Sequence, residues 1–265
     1  MTGTPTESTT DLIHLTPDDY HVIRPEDFGA PGLVARESIG PFVSLQAVGP
    51  LVTVHDSTFE PHSGIGHHPH QRMERLFYIL EGAVDHDDAL NNITGHMGTG
   101  DLGILTEGRR GMIHSERNNT GGRTRCYILV YPTEPLPPTA AFDAIRDAEA
   151  PRVDVTPGVT AKYVVQRTTD RLHGDVRELV DSTLEAGAGF QAELGPDESG
   201  LVFVLDGSVR AGEDPGAPPA SLDREHTLVA PPAPRTRNLK VEARAEARVL
   251  HTVMGPGLGL RRRGG

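Results

Sequence analysis

The run LFYILEGAVD, residues 76–85, returns at residues 201–210 as LVFVLDGSVR. In each copy an apolar run ends in an acid, a glycine, a small residue and a valine. Either match alone would be ordinary likeness between Leu/Val-rich hairpins. A second pair follows in the same order, RCYILVYP from Arg125 and RVLHTVMGP from Arg248. Two matched segments in matched order read as a duplicated β-domain.

The rest of the chain agrees with an all-β reading. At 265 residues there is room for one large all-β unit or two domains of ordinary size. Its 30 glycines and 22 prolines favour many short elements over long helices. Between residues 20 and 132, short apolar runs such as SLQAVGPLVTVHD, RLFYIL and GDLGILTEG alternate with turn signals, the spacing of an antiparallel domain. Leu90, Asn91 and Asn92 form a polar hairpin tip after GAVDH. PTEPLPPTAAFDAIRDAEAPR then interrupts the pattern; its prolines stop strand pairing, and AAFDAIRDAEA predicts one short helix in a linker. The predicted organisation is a flexible tail (1–19), a first domain (20–133), a linker (134–152) and a second domain (153–265) ending in a short basic tail with Arg261, Arg262 and Arg263.

Charge and cysteine content narrow the function. A net charge of −12 argues against routine binding to nucleic-acid phosphates. The single cysteine, Cys126, rules out an intrachain disulfide and a cysteine-based zinc site, and reads as a buried core thiol. The first residues, MTGTPTESTTDLIHL, lack the basic and apolar regions of a signal peptide, and no long apolar run predicts a membrane span. The expected compartment is the cytoplasm. The Arg-over-Lys bias (only Lys162 and Lys240 are lysines) points weakly to a bacterial source.

Eight of the 13 histidines fall between His55 and His114. Residues i and i+2 of a strand share a face, so His68 and His70 project together, with Pro69 turned away as on an edge strand. His114 and Glu116 form a second such pair. If the two strands face each other across a barrel, three imidazoles and a carboxylate converge from two directions. That set suits one divalent transition metal, Fe(II), Mn(II), Ni(II), Cu(II) or Zn(II), whereas calcium and magnesium want more oxygen ligands.

HPH at 68–70, ERLFYILEG from Glu74 and GDLGILTEGRRGMIHSE from Gly100 together resemble the pirin family of the cupin superfamily. The resemblance implies a bicupin: two tandem antiparallel β-barrel (jelly-roll) domains joined by the short linker. It also implies a metal, usually iron, in the first barrel, with His68, His70, His114 and Glu116 as ligands. The second copy carries neither an HxH nor an HxE pair and is expected to be metal-free. Three features depart from the family: Gln71, Arg72 and Met73 after HPH, the extra residue in GRRG, and Ile104 in place of an aromatic. All three are expected near the metal.

Other residues carry weaker signals. Glu74 is a candidate general base or an acceptor orienting a ligand, and equally a partner in a surface salt bridge. Met112 lines the pocket or the core, and Arg109 and Arg110 clamp an anionic or enolic substrate or form a solvated turn. His62 and His67 read mainly as loop residues, while His55, His86 and His96 are given no role. The resemblance ranks first an oxygenase acting on an enolic or phenolic small molecule, quercetin dioxygenase-like. The alternatives are a non-oxidative isomerase, cyclase or lyase of bacterial specialised metabolism, and a redox-sensing regulator that binds a protein partner without turnover.

Overall fold

In a computed structural model that describes residues 11–263, the two copies of the repeat take the same place in two matching sheets. The first sheet has seven strands in the order Ala141–Ile145, Leu102–Thr106, Met73–Glu81, Thr124–Pro132, Thr53–Phe59, Leu33–Ile39 and His21–Ile23. The second runs Ile13–Leu15, Thr227–Ala230, Ser199–Asp206, Ala247–Met254, Val176–Leu184, Val159–Val165 and Arg152–Thr156. The strand carrying LFYILE lies third in one sheet, and the strand carrying LVFVLD lies third in the other. Both end at a glycine in the left-handed region, Gly82 (φ +77°) and Gly207 (φ +75°). A β-carbon would come within 2.4 Å of Thr124 Oγ1 at the first and 2.1 Å of the Glu246 carbonyl at the second, so the repeated acid-glycine corner admits no side chain.

A four-stranded sheet covers one face of each large sheet. In the first domain its order is Gly64–His70, Met112–Arg117, Ala83–Asp88 and Ile93–Gly98. In the second it is Gly189–Leu194, Arg237–Ala243, Ser208–Glu213 and Ala220–Asp223. Each domain is therefore a two-sheet sandwich; the sheets do not close into the barrels expected from sequence.

Strand alternation sorts the side chains into three cores. From Met73–Glu81, Phe77 and Ile79 point into the first sandwich, whereas Leu76, Tyr78 and Leu80 point into a core between the two large sheets. From Ser199–Asp206, Val202 and Val204 fill the second sandwich, and Leu201, Phe203 and Leu205 join the interdomain core. There Tyr127 stacks on Phe203 with centroids 4.9 Å apart, and the Tyr78 hydroxyl donates to Asp181 at 2.6 Å. These strands are apolar on both faces because both faces are covered.

Several boundaries differ from expectation. Residues 11–19 are not a loose tail: Ile13–Leu15 pairs with Thr227–Ala230 as the outer strand of the second domain's large sheet. Residues 1–10 lie outside the described part. The expected helix in the linker is the strand Ala141–Ile145, which pairs with Leu102–Thr106 and so belongs to the first domain. The basic C-terminal segment is also a strand, Leu260–Arg262, paired with Leu45–Val48. Each end of the chain thus adds a strand to the domain distant from it in sequence.

Candidate metal centre

Gly64–His70 is the outer strand of the small N-terminal sheet and bonds only to Met112–Arg117, so Pro69 interrupts no ladder on its open side. The two ligand-bearing strands are antiparallel neighbours in one sheet and do not face each other across a barrel. His114 stands directly opposite His68, and Met112 opposite His70. Between His114 and Glu116 the register slips at a bulge. Gly64 permits the close approach there, since a β-carbon on it would sit 2.2 Å from the Glu116 carbonyl.

Pairing brings together what the spacing predicted. His68, His70 and His114 each offer a nitrogen, and all three lie within 4.8 Å of one another. Glu116 joins from the same strand as His114: its Oε1 is 3.2 Å from His114 Nδ1 and its Oε2 is 3.9 Å from His68 Nε2. His114 is fully buried, and its Nε2 has no hydrogen-bond partner. An unpartnered buried nitrogen among imidazoles offers the kind of lone pair a cation would take. His68 Nδ1 donates to the Gly66 carbonyl at 2.8 Å, which frees its Nε2 lone pair for a metal. The donor set fits a divalent transition metal.

Burial holds these imidazoles neutral, the state that ligates. It pulls His70 down to about 3, His86 to about 4, and His114 and His68 below the usual histidine range. The same desolvation pushes the Glu116 carboxyl up to about 7.

A fixed cation adjoins the cluster. Arg75 is paired to the fully buried Glu107 at 2.7 Å, and its other arm lies 2.8 Å from His70 Nδ1. A guanidinium can only donate, so Nδ1 of His70 accepts and the ring's proton sits on Nε2. His70 and His68 therefore hold opposite tautomers.

Glu74 is not brought to the cluster. It follows the parity of Leu76 and Tyr78 and faces the interdomain side, opposite to Arg75. There it is fully buried and accepts from Thr106 Oγ1 (2.7 Å), the Tyr131 hydroxyl (2.7 Å) and the His173 backbone N–H (2.9 Å). It ties the first domain to the loop between Val159–Val165 and Val176–Leu184 of the second and touches none of the candidate ligands. Ile104 likewise packs in the interdomain core and not near the metal. Arg109 and Arg110 are exposed in the turn, Met112 and Cys126 are core residues, and His67 points outward to Asp87 at 2.7 Å. His62 sits in a turn at φ +55°; His55 binds Glu37 and His96 binds Asp85.

His86 is the residue the sequence reading missed. It stands opposite Glu116 across the sheet, its ring 5.2 Å from that of His114, and it stacks on Phe142 at 5.5 Å. Its signal lay in the alternation Val84, His86, Asp88, all buried between exposed or half-buried neighbours.

Two matching sandwiches, one holding a three-histidine cluster with an adjoining glutamate, define a two-domain all-β protein with one candidate metal centre. Residues 26–128 match the Pirin family model. In sequence the chain is 35% identical over 102 residues to a quercetin 2,3-dioxygenase of Escherichia coli, a match covering 36% of this chain and 43% of that one. The chain thus spans under half the length of that relative. A pirin-like protein of Caulobacter vibrioides is 28% identical over 161 residues, covering 61% of this chain and 68% of that one. In fold, the bacterial pirin of Escherichia coli in complex with nickel(II) superposes with a TM-score of 0.73 at 19% identity, covering 92% of this chain and 99% of that one.

Proposed function

We propose that the chain is a metal-dependent oxygenase that takes an enolic or phenolic small molecule, quercetin-like in class, at the cluster of His68, His70, His114 and Glu116. Fe(II) is the first metal to load, with Mn(II) and Ni(II) next. The observation that carries this reading is the convergence of three neutral imidazoles within 4.8 Å, one with an unpartnered buried Nε2. The sequence likeness to a quercetin 2,3-dioxygenase supports the substrate class.

A bound divalent metal supplies Lewis acidity toward an enolic oxygen and, where redox-active, a path for electrons to dioxygen. The chain's own residues prepare the place. The Gly66 carbonyl fixes the His68 ring, and the paired strands fix His114 opposite it. Arg75, anchored by Glu107, sets a positive charge beside the cluster that favours the anionic form of an enol or phenol. Phe142 and His86 wall the inner side against water.

The same cation favours a second reading. A fixed guanidinium stabilises an enolate whether or not dioxygen follows, so a non-oxidative isomerase or lyase uses the site equally well. Metal content by mass spectrometry tests the shared part: wild type carries one metal ion per chain, and His70→Ala and His114→Ala lose it. Oxygen uptake with quercetin by the Fe(II)-, Mn(II)- or Ni(II)-loaded protein supports the oxygenase. Product formed under strict anaerobiosis replaces it with the second reading, and wild type without metal overturns both.

A further inference from the structure

The second domain opens at the position the histidine strand occupies in the first. Gly189–Leu194 is the outer strand of the small C-terminal sheet, as Gly64–His70 is of its N-terminal counterpart. Its inward residues are Phe190, Ala192 and Leu194, and those of its neighbour include Leu239 and Val241, so apolar side chains stand where the first domain has ligands. Between this strand and the large sheet lies a half-open cavity of about 700 Å³, walled by Ala161, Tyr163, Phe190 and Ala192. That size is typical of small-molecule sites, and charged and polar side chains, Arg167, Glu178, Lys240 and Glu242 among them, complete the lining.

Two polar side chains face it from the large sheet with nothing to bond. Ser182 is 1% exposed and its Oγ has no partner; His251 is 7% exposed and its Nδ1 has none. They stand on adjacent antiparallel strands, where Val180 is opposite His251 and Ser182 opposite Val249. Residues sharing their parity, Leu184, Val249 and Val253, lie in the core of the second sandwich, whereas Leu179 and Leu250 face the first domain. Both side chains therefore point inward. Buried polar groups without partners are rare in folded proteins, and two at the floor of one cavity mark a place where a ligand's polar atom fits.

Its chemistry can be read from the walls and the rim. The His251 and Phe190 rings lie 5.0 Å apart, tilted by 33°, and present aromatic surface. At the rim, Arg167 is held by Glu178 and Glu198, and Lys240 lies 3.9 Å from Glu242. Among the described lining residues, no cation is left unpaired to receive an anion. We infer that this cavity is a second, metal-independent ligand site for an uncharged aromatic molecule bearing a hydroxyl. Its ring lies against Phe190, and its hydroxyl bonds Ser182 Oγ and His251 Nδ1.

The test uses the full-length His114→Ala protein, stripped with chelator so that the first domain does not compete, and 2-naphthol as probe. Naphthol fluorescence is read directly, because the chain has no tryptophan. Saturable binding of one naphthol per chain is expected, with a shift of the His251 ring signals in NMR. Ser182→Ala weakens it by about three- to tenfold, the loss of one neutral hydrogen bond. Ala192→Phe, which fills the cavity, removes it, and 2-naphthoate binds at least about tenfold more weakly because its charge finds no partner. Absence of saturable binding, saturation without any His251 shift, or naphthoate binding as tightly as naphthol overturns the inference. The His251 shift and Ser182→Ala decide the matter if Ala192→Phe does not fold.

Discussion

Glu74→Ala and His114→Ala should give opposite signatures in one assay, because Glu74 faces the interdomain side of the first domain's large sheet and His114 lies in the small sheet that covers its other face. Removing the Glu74 carboxylate strands three buried donors: Thr106 Oγ1, the Tyr131 hydroxyl and the His173 N–H. Each unsatisfied group costs about 1–3 kcal/mol, and hydroxyl rotation together with relief of carboxylate desolvation recovers part, leaving a loss of about 3 kcal/mol. At about 2–4 °C per kcal/mol for a chain of this size, Tm falls by about 6–12 °C. The metal cluster is untouched. Nickel at a thousand times its Kd adds about 4 kcal/mol, or about 8–16 °C, to both wild type and Glu74→Ala. His114→Ala behaves in reverse. The cavity it leaves and the unpartnered Nε2 it removes act in opposite directions, so the metal-free protein shifts by only about 1–2 kcal/mol. The nickel-induced rise disappears. Scanning calorimetry with nickel and with chelator reads all of this. The placement of Glu74 would be refuted by a Glu74→Ala protein that melts like wild type but no longer responds to nickel.

Three further outcomes follow from the same contacts. Burial lowers His251 to about 4 in the folded chain, against about 6.5 unfolded, so below pH 6.5 the unfolded chain takes up a proton the folded one refuses. Stability is lost as pH falls, by about 2–3 kcal/mol at pH 4.5; His251→Phe should therefore narrow the gap between urea midpoints at pH 7 and 4.5, and a gap equal to that of wild type contradicts the assignment. Tyr78→Phe leaves Asp181 bonded to Arg248 alone and should cost about 1.5–3 kcal/mol in urea unfolding without altering nickel affinity. Replacing Arg75 by Met together with Glu107 by Leu removes the cation and the donor that holds the His70 proton on Nε2. Nickel should then bind about tenfold more tightly by calorimetric titration, and unchanged or weaker binding would show that Arg75 does not oppose the metal.

The clustering of His68, His70 and His114 was legible because its information is local: i, i+2 parity in two short strands needs no knowledge of the fold. Glu74 was misread because parity does not carry across the turn at Gln71 and Arg72, where Arg72 takes φ +74° and a new strand begins at Met73. Counting from His70 cannot tell which of Glu74 and Arg75 faces the cluster; only the apolar parity of Leu76, Tyr78 and Leu80 can, and both faces of that strand are apolar. His86 was missed because its place depends on a cross-strand register with Glu116. The linker helix failed because alanine-rich propensity is weak beside the backbone bonds that Leu102–Thr106 offers an added strand. The two terminal strands pair with partners far away in sequence, which no local pattern reveals.

The edge strands of the large sheets complete one duplicated frame that holds two different interiors. Ala141–Ile145 caps the first large sheet beside Leu102–Thr106, and Ile13–Leu15 caps the second beside Thr227–Ala230, at the equivalent edge. The first domain borrows its cap from the linker and the second from the start of the chain. The large sheets, buried against each other through Tyr78, Tyr127, Leu201 and Phe203, carry most of the shared packing. The small sheets take no part in that interface. Their outer strands are thus free to differ: Gly64–His70 with histidines in one, Gly189–Leu194 with Phe190 and Ala192 in the other. Changes confined to those two strands alter what each sandwich binds while the interdomain core stays fixed. Ligand-strand substitutions such as His70→Ala should therefore be far gentler on stability than substitutions at Tyr78 or Phe203, and equal destabilisation of both classes in urea would show that the small sheets carry more of the fold than their packing implies.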